Sequence, residues 1–286
     1  MTVGTLLLVA TPIGNLGDLS PRAIEALQGC ALICCEDTRR TGGLLSHFGI
    51  HGVRMAIANE HTETARVDEV LNLLAAGQTV AVVTDAGMPG ISDPGERLVR
   101  AAIEHHHTVS AVPGPSAEVM ALVISGLPSH RYVFEGFLPR SGTERAQRLR
   151  EATAERRTVV LYEAPHRLAR TLAELHSICG PDRRVVLARE LTKLHEEVWR
   201  GTLGEAVARV AEREPQGEYV IVLDGAELPP GATDDDIRAA LDTSLGAGAS
   251  RKSAVASVAQ LLDVPKNRVY DIALSIGAQL RGNSAS

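Results

Sequence analysis

Residues Val80–Gly95 read Val-Ala-Val-Val-Thr-Asp-Ala-Gly-Met-Pro-Gly-Ile-Ser-Asp-Pro-Gly. The apolar run Val80–Val83 has no polar alternation, which is typical of a parallel strand buried on both faces. The two glycines and the proline of Asp85–Gly90 predict a tight turn whose backbone can approach a ligand closely. Asp93–Glu96 suits a helix start, with the aspartate as N-cap and the proline at the first helical position. A strand, a glycine loop and a helix in this order predict a ligand site at the carboxyl edge of a doubly wound sheet; a βα turn without a ligand is the alternative.

Outward from this stretch, apolar strands alternate with helices along the first 125 residues. Five strands, the first at Thr5–Ala10 and the last at Thr108–Val112, predict a parallel doubly wound sheet. A second alternating run follows Gly126–Ser129 and ends in a strand at Glu218–Leu223. The sequence therefore predicts an α/β protein with two α/β domains and a small C-terminal helical module.

The expected domain boundaries follow the breaks in this pattern. They are 1–126 for the N-terminal α/β domain with the ligand loops, 127–225 for the second α/β domain, 226–233 for a Pro-Pro-Gly linker and 234–286 for a module of two or three helices. Capping boxes at Ser141–Glu144 and Thr202–Glu205 are predicted to start two helices of the second domain.

Composition and charge limit the possible classes of protein. No apolar run approaches the ~20 residues of a membrane-spanning helix, so no membrane partner is expected. Residues 1–130 carry a net charge of −6, whereas residues 131–214 and 250–286 are mildly basic, which permits a polyanionic partner. Cys30, Cys34 and Cys35 share an apolar segment without metal-ligand spacing, so free buried thiols in a reducing cytoplasm, and no metal, are expected.

Three loops combine proline with glycine after apolar strands: Thr11–Asn15, Asp85–Gly90 and Pro113–Ala117. Because the carboxyl ends of parallel strands meet at one edge of a sheet, we expect these loops to converge on a small ligand. Neither G-x-G-x-x-G nor G-x-x-x-x-G-K-[ST] occurs, which argues against a dinucleotide fingerprint and a P-loop.

Six segments of the chain, in order, resemble the bacterial ribosomal RNA small subunit methyltransferase I family, part of the tetrapyrrole-methylase (class III) group of S-adenosylmethionine enzymes. They are Thr5–Leu16, Glu36–Arg39, Thr84–Gly95, Pro113–Ala117, Tyr162–Arg167 and Arg189–Glu197. The resemblance covers nearly the whole chain, including the helical tail. It implies a cofactor cleft between two α/β domains, S-adenosylmethionine as cofactor and a homodimer. It also implies 2′-O-methylation of the ribose of a decoding-centre cytidine (cytidine 1402 by convention) in the 16S rRNA of the small ribosomal subunit.

The resemblance also implies which residues bind the cofactor. Those of the middle loop would hold its methionine and ribose portions, largely through the backbone, and those near Tyr162 would lie along the adenine. Met88 departs from the wider tetrapyrrole-methylase group, which often has an aspartate there, and this favours the RNA branch. The full set is Pro12, Gly14, Asp85, Ala86, Gly87, Met88, Pro89, Pro113, Gly114, Pro115, Ser116, Tyr162, Glu163, Ala164 and Pro165.

Methyl transfer to a ribose hydroxyl requires that the oxygen be aligned and its proton removed. The candidate proton acceptors are Glu36, Asp37, His61, Glu63, Glu163 and Lys193. The first two follow the second strand and the next two follow the third, so both pairs are expected at the ligand edge. Two structural alternatives remain, an ion pair between Asp37 and Arg39 and a helix N-terminal role for His61.

Basic residues at two kinds of position are predicted to contact RNA. Those near the cleft are Arg39, Arg167, Arg189 and Lys193, and those of the tail are Arg251, Lys252, Lys266 and Arg268. The tail residues would add salt-dependent affinity that does not depend on RNA sequence. A cap that only packs on the second domain is the alternative role for the tail.

The sequence therefore predicts an S-adenosylmethionine-dependent rRNA (cytidine-2′-O-)-methyltransferase. One alternative is a precorrin-type tetrapyrrole methyltransferase with the same core, against which the tail and the segment Glu36–Arg39 count. Another is a ribosome-assembly factor without catalytic activity, against which the three loops and Glu163–Arg167 count.

Overall fold

The computed structural model describes residues 4–59, 62–92, 95–227 and 232–282, with side chains up to residue 276. His61, Asp93, Pro94 and residues 228–231 of the predicted linker lie outside the described residues. The chain divides into two compact units, residues 1–226 and 227–286.

The first unit contains the predicted parallel sheet. Its strands are β1 (Thr5–Val9), β2 (Leu32–Cys35), β3 (Met55–Ile57), β4 (Val80–Val82) and β5 (Thr108–Val112). They lie in the order β3-β2-β4-β1-β5, and every neighbouring pair is parallel. All residues of β2 and β4 are buried, which confirms that these apolar strands are covered on both faces.

Five helices follow these strands. They are α1 (Pro21–Gly29), α2 (Thr38–His47), α3 (Glu63–Ala75), α4 (Glu96–Glu104) and α5 (Ala117–Ser125). Side chains of α1 and α2 pack on one face of the sheet, and side chains of α3 and α4 pack on the other. Helix α5 instead packs Ala121 and Leu122 against the second sheet of this unit.

The second sheet is mixed. Its strands are β6 (Tyr132–Phe137), β7 (Thr158–Glu163), β8 (Arg184–Arg189), β9 (Glu197–Thr202) and β10 (Tyr219–Leu223), in the order β6-β7-β10-β8-β9. Only the pair of β6 and β7 is parallel. Helices α6 (Gly142–Ala154), α7 (Pro165–Cys179) and α8 (Leu203–Glu212) cover the face opposite α5.

Strand β9 was not among the elements predicted from the sequence. The stretch Glu197–Thr202 mixes charged and apolar residues and includes Gly201, so its own strand signal is weak. It forms a strand because the chain reverses after β8 and pairs antiparallel with it at the edge of the sheet.

The predicted N-cap of α4, Asp93, lies outside the described residues. The helix begins at Glu96, and its N-cap is Gly95, with φ 132°. The backbone N–H groups of Gly95 and Leu98 donate to Oε1 of Glu63 at 3.1 and 3.0 Å. A buried carboxylate from the start of α3 therefore satisfies N–H groups that have no partner within α4.

The two capping boxes predicted in the second half have different outcomes. Thr202 and Glu205 form the predicted box at the start of α8. Ser141 occupies the N-cap of α6, but its side chain makes no capping hydrogen bond, so the capping box predicted at Ser141–Glu144 is not formed.

The described residues of the second unit form three helices with a core of their own. They are α9 (Asp234–Gly246), α10 (Arg251–Leu261) and α11 (Lys266–Gly282). Ile237, Leu241, Val258 and Val269 lie at the centre of this core. In the part of the chain that the structure describes, none of the helices has the length and apolar character needed to cross a membrane.

Candidate active site

The three loops that combine proline and glycine converge, as predicted. The backbone N–H of Thr11 donates to the carbonyl of Gly87 at 2.9 Å, and the N–H of Gly87 donates back at 3.1 Å. Gly87 has φ +90°, and a Cβ there would lie 3.3 Å from Cγ2 of Ile13 and 3.6 Å from the carbonyl oxygen of Pro115. The first two loops are thus joined by hydrogen bonds, and the third lies against them.

A cleft of about 530 Å³, here called the main cleft, is lined by these loops and by residues of the second sheet. Nine of the predicted cofactor-binding residues line it: Asp85, Ala86, Gly87, Met88, Ser116, Tyr162, Glu163, Ala164 and Pro165. Pro89, Pro113, Gly114 and Pro115 do not line it. Gly114 instead permits close packing, because a Cβ there would lie 2.8 Å from the Cβ of Ala10.

Carboxylates dominate the ionisable lining of the main cleft. They are Glu36, Asp85, Glu118, Glu163, Glu190 and Glu218, against the cationic side chains of Arg40 and Lys193. Ile13, Leu191 and Val220 add apolar surface. The hydroxyl of Tyr162 donates to Glu118 and links β7 to the first turn of α5. A cleft of this composition suits a ligand that carries both positive charge and an apolar ring.

Glu36, Arg40 and Asp85 form a cluster on the wall of the main cleft. Oε2 of Glu36 accepts hydrogen bonds from Oγ1 of Thr84 at 3.1 Å and from the N–H of Asp85 at 3.3 Å. Oδ2 of Asp85 lies 3.2 Å from Nη1 of Arg40. Oδ1 of Asp85 is buried and has no hydrogen-bond partner among the described residues.

The environment of Asp85 makes its carboxylate a stronger base than an aspartate in water. Burial raises the pKa of Asp85, and the negative charge of Glu36 raises it further. The positive charge of Arg40 lowers it, but not enough to cancel these two effects. A group with a raised pKa binds a proton more readily at a given pH.

A second cleft of about 420 Å³, here called the side cleft, adjoins the main cleft. The first loop and α2 line it through Pro12, Gly14, Leu16, Thr41, Leu44 and His47, among others. Pro12 and Gly14 were predicted to line the cofactor cleft, and they lie here instead. The two clefts share part of one wall, which includes Arg40, Thr84 and Asp85.

Lys193 belongs to a loop between β8 and β9 that docks against the first loop. Its Nζ donates to Oε1 of Glu190 at 2.9 Å and to Oε2 of Glu218 at 2.8 Å. Burial lowers the pKa of Lys193, but the hydrogen bonds with Glu218 and Glu190 outweigh burial and raise it. Because an ammonium group cannot accept a proton, this geometry argues against Lys193 as a proton acceptor.

Two further predicted proton acceptors have structural partners. Oδ1 of Asp37 accepts from the N–H of Arg39 at 2.8 Å, and hydrogen bonds from Arg39 lower the pKa of Asp37 to about 2. Glu63 is buried and holds the N-terminus of α4, as described above. Neither residue lines the main cleft, and both are therefore better explained as structural.

Arg167 and Arg189 do not have the exposure that phosphate contacts require. Nη2 of Arg167 donates to the carbonyl of Leu138 at 2.5 Å, and Nε lies 3.2 Å from Oε1 of Glu163. Nε of Arg189 donates to the carbonyl of Gln216 at 2.6 Å. Their side chains are 18% and 12% exposed, so they stabilise the second sheet and its loops. These partners argue against the predicted RNA contacts of Arg167 and Arg189, which are left out of the function proposed below.

The predicted RNA-binding residues of the tail lie at helix starts and are exposed. Arg251 and Lys252 begin α10, and Lys266 begins α11. Arg268 is also exposed, but its Nη2 lies 2.7 Å from Oδ1 of Asp234. Arg39, the remaining predicted RNA contact near the cleft, pairs with Asp37, yet its side chain is 89% exposed.

Several lining residues were missed in the sequence. Arg40 directly follows the segment Glu36–Arg39 and belongs with it. Glu218, Tyr219 and Val220 were missed for a topological reason: β10 runs antiparallel between β7 and β8, so its amino end meets their carboxyl ends at the cleft. A rule that considers only the carboxyl ends of parallel strands does not find such residues.

Comparisons with known proteins agree with this architecture. Residues 5–207 match the family model described as Tetrapyrrole (Corrin/Porphyrin) Methylases. The chain is 45% identical over 278 residues to Ribosomal RNA small subunit methyltransferase I of Synechocystis sp., covering 96% of this chain and 99% of that protein. A protein of the same name from Thermotoga maritima is 45% identical over 225 residues, covering 79% of this chain and 100% of that protein. The crystal structure of a diphthine synthase has the same fold, with a TM-score of 0.60 at 14% identity, covering 79% of this chain and 91% of that one.

Proposed function

The chain belongs to the ribosomal RNA small subunit methyltransferase I family, and we propose that it transfers a methyl group from S-adenosylmethionine to the ribose 2′-oxygen of a decoding-centre cytidine in 16S rRNA, cytidine 1402 by convention. The observation that carries this proposal is an acid-lined cleft that shares a wall with a second, open cleft. One cleft suits a cationic methyl donor, and the other leaves room for the nucleotide that receives the methyl group.

The residues of the main cleft fit S-adenosylmethionine. Both the sulfonium and the amino group of this cofactor are positively charged, and carboxylates outnumber cationic groups in the lining. Ile13, Leu191 and Val220 offer apolar surface to an adenine ring. Gly87 has no side chain to fill the cleft. When bound, the cofactor supplies a methyl group on a positively charged sulfur, which an oxygen nucleophile can attack directly.

The proposed cofactor contacts follow the lining. Backbone groups of Asp85, Ala86, Gly87 and Met88 hold the methionine and ribose portions, and Ser116 and Tyr162–Pro165 close the other side. Pro89 and Pro113–Pro115 shape the loops, as the contact between Gly114 and Ala10 suggests. Pro12 and Gly14 form the wall of the side cleft, where they would meet the acceptor nucleotide.

The chain must align the ribose hydroxyl and remove its proton. Of the proton acceptors predicted from the sequence, Glu36 lines the main cleft, and His61 lies outside the described residues. Glu163 also lines the cleft, but it accepts from Thr171 and from the N–H of Ala164 and pairs with Arg167. Its carboxylate is thus committed to local partners.

RNA contacts are proposed for exposed cations on both units. They are Arg39 near the cleft and Arg251, Lys252, Lys266 and Arg268 in the tail. The substrate is the 16S rRNA of the small ribosomal subunit, which places the protein in the cytoplasm, and a homodimer is the proposed assembly.

A transfer assay tests the proposed function. The purified protein is incubated with methyl-labelled S-adenosylmethionine, small ribosomal subunits and a precorrin substrate. We expect label on a ribose 2′-oxygen of 16S rRNA. Label on the macrocycle would identify a tetrapyrrole methyltransferase instead. Cofactor binding by calorimetry without transfer to either substrate would identify an assembly factor without catalytic activity.

A further inference from the structure

The wall shared by the two clefts carries an acidic side chain that the sequence did not single out as a base. We propose that the carboxylate of Asp85 is the general base that removes the proton from the ribose 2′-hydroxyl. This inference rests on the proposed function, because it presupposes a hydroxyl acceptor in the side cleft.

The position of Asp85 is the first argument. Asp85 lines both the main cleft and the side cleft, whereas Glu36 lines only the main cleft. A base must reach the acceptor hydroxyl while the donor occupies the neighbouring cleft. Only a residue on the shared wall meets both conditions. Two carboxylates, Asp85 and Glu218, lie on that wall. Glu218 already accepts a hydrogen bond from Lys193, so Asp85 is the better candidate.

The hydrogen bonds of Asp85 are the second argument. Oδ2 lies 3.2 Å from Nη1 of Arg40, so an ion pair holds this oxygen at the wall of the cleft. Oδ1 is buried without a partner among the described residues, although buried acceptors are normally satisfied. Because Oδ1 is buried while the side chain as a whole is 22% exposed, Oδ2 is the oxygen that a hydroxyl in the side cleft can reach, and a hydrogen bond to it is the contact that a proton acceptor makes before the reaction.

Glu36 is less suited to the same task. Its Oε2 already accepts from Oγ1 of Thr84 and from the N–H of Asp85. These bonds hold the carboxylate of Glu36 next to Asp85. The negative charge of Glu36 then favours the protonated form of the Asp85 carboxyl. Glu36 therefore acts as a positioning residue that strengthens the base.

The proposed step conserves atoms and electrons. The 2′-oxygen forms a bond to the methyl carbon while the carbon–sulfur bond breaks, and that electron pair stays on sulfur. The 2′-hydroxyl proton passes to Oδ2 of Asp85 and is later released to water. The products are 2′-O-methylated RNA and the demethylated, neutral thioether form of the cofactor.

The first test needs neither cofactor nor RNA. Carbon-detected NMR follows the carboxyl of Asp85 in the full-length protein between pH 2 and 8. We expect Asp85 to titrate above the ordinary aspartate value of about 3.9, and Glu36→Gln to move this value down. The other charged groups that face the site are Asp37, the N-cap of α2, Arg40 in the first turn of that helix, and Lys193 and Glu218 from the second-sheet loops. An ordinary or lowered value for Asp85 in the wild type would contradict the proposal.

The second test separates chemistry from binding. Single-turnover transfer to small ribosomal subunits is measured between pH 5 and 9 for the wild type, Asp85→Asn and Asp85→Glu, with calorimetric cofactor affinity for each. We expect Asp85→Asn to lose ~100-fold or more in rate, in the range typical of general bases, while cofactor affinity changes less than about threefold. Asp85→Glu should recover part of the rate. Asp182→Asn, the same change on an exposed turn before β8, is the matched control and should behave as the wild type.

The outcomes are distinct. A rate for Asp85→Asn within a few-fold of the wild type, with the same pH profile, would refute the role of Asp85 and leave the proposed function standing. Loss of cofactor affinity in Asp85→Asn would assign the side chain to cofactor binding and overturn the proposal. Absence of transfer by the wild type would contradict the proposed function and this inference together.

Discussion

At the scale of single residues, Gly87 determines how much room the main cleft offers. Its φ of +90° is a conformation that residues with a Cβ rarely adopt, and its backbone is fixed by two hydrogen bonds with Thr11. A side chain at this position meets Ile13 and the carbonyl of Pro115. Backbone strain and loss of ligand space therefore arise from the same substitution and must be separated by a control.

Gly49→Ala provides that control, because Gly49 has φ +68° and a Cβ there would point into open space. We expect Gly87→Ala and Gly49→Ala each to lower the free energy of unfolding by about 1 kcal/mol through backbone strain. Only substitutions at Gly87 should weaken calorimetric binding of S-adenosylmethionine, with Gly87→Val weakening it ~10-fold or more. Unchanged affinity in Gly87→Val would remove this loop from the cofactor site.

The raised pKa of Asp85 predicts a cost in stability at neutral pH. A carboxyl whose pKa is higher in the folded state favours its neutral form, so stability is lost as pH rises through the folded pKa. Asp85→Asn should raise the melting temperature at pH 7 by about 1–2 °C, since solvent screens this partly exposed group. The gain should vanish at pH 3, where the wild-type carboxyl is also neutral; a lower melting temperature at pH 7 would show that the pair with Arg40 outweighs the cost.

At the scale of secondary-structure elements, the N-terminus of α4 depends on α3. Oε1 of Glu63 accepts from two backbone N–H groups, those of Gly95 and Leu98, and it is buried. If the carboxylate of Glu63 is removed, both N–H groups lose their hydrogen-bond acceptor in a site that water does not readily reach. The helix that follows the middle ligand loop is thus held by a contact between elements.

Glu63→Ala should therefore lower the free energy of unfolding in urea by about 2–3 kcal/mol. Glu104→Ala, at the exposed end of α4, should change it by less than about 0.5 kcal/mol. Glu63→Gln keeps an acceptor oxygen, so its loss in the free energy of unfolding should lie between those of the other two variants. A loss of methyl transfer at full stability would instead make Glu63 a catalytic candidate again.

The elements also show how far the sequence could predict the site. Convergence of the three loops was predictable, because strand direction alone brings carboxyl ends together. The roles of Glu63, Arg167 and Arg189 were not, because their partners lie on other elements whose approach depends on tertiary packing. Asp85 was assigned to the correct loop, but only the structure shows that it borders two clefts.

At the scale of the whole molecule, charge is distributed unevenly in the helical unit. Three aspartates begin α9, whereas basic residues begin α10 and α11. Acidic residues suit the positive end of a helix dipole and basic residues do not, so Arg251, Lys252 and Lys266 do little for their own helices. Their exposure at helix starts supports the proposed contact with phosphates.

Charge reversal tests that contact. Arg251→Glu combined with Lys252→Glu should weaken binding to small ribosomal subunits and reduce the slope of log affinity against log salt by about one for each phosphate that the protein no longer neutralises. Arg238→Glu alters a cation of the same unit that pairs with Asp235 and should have a smaller effect. Cofactor affinity should stay unchanged in both variants; an unchanged salt slope would favour a packing role for the tail.

The packing of α5 limits where this protein can be cut or recombined. Ala121 and Leu122 follow the first sheet in the chain, yet they are buried against Val160, Val186 and Val220 of the second. A gene fragment that ends after α5 would leave an apolar helix face in water, and one that ends before it would cut through the third ligand loop. Engineered chimaeras between family members should therefore exchange residues 5–223 as one piece, and exchange the helical unit separately.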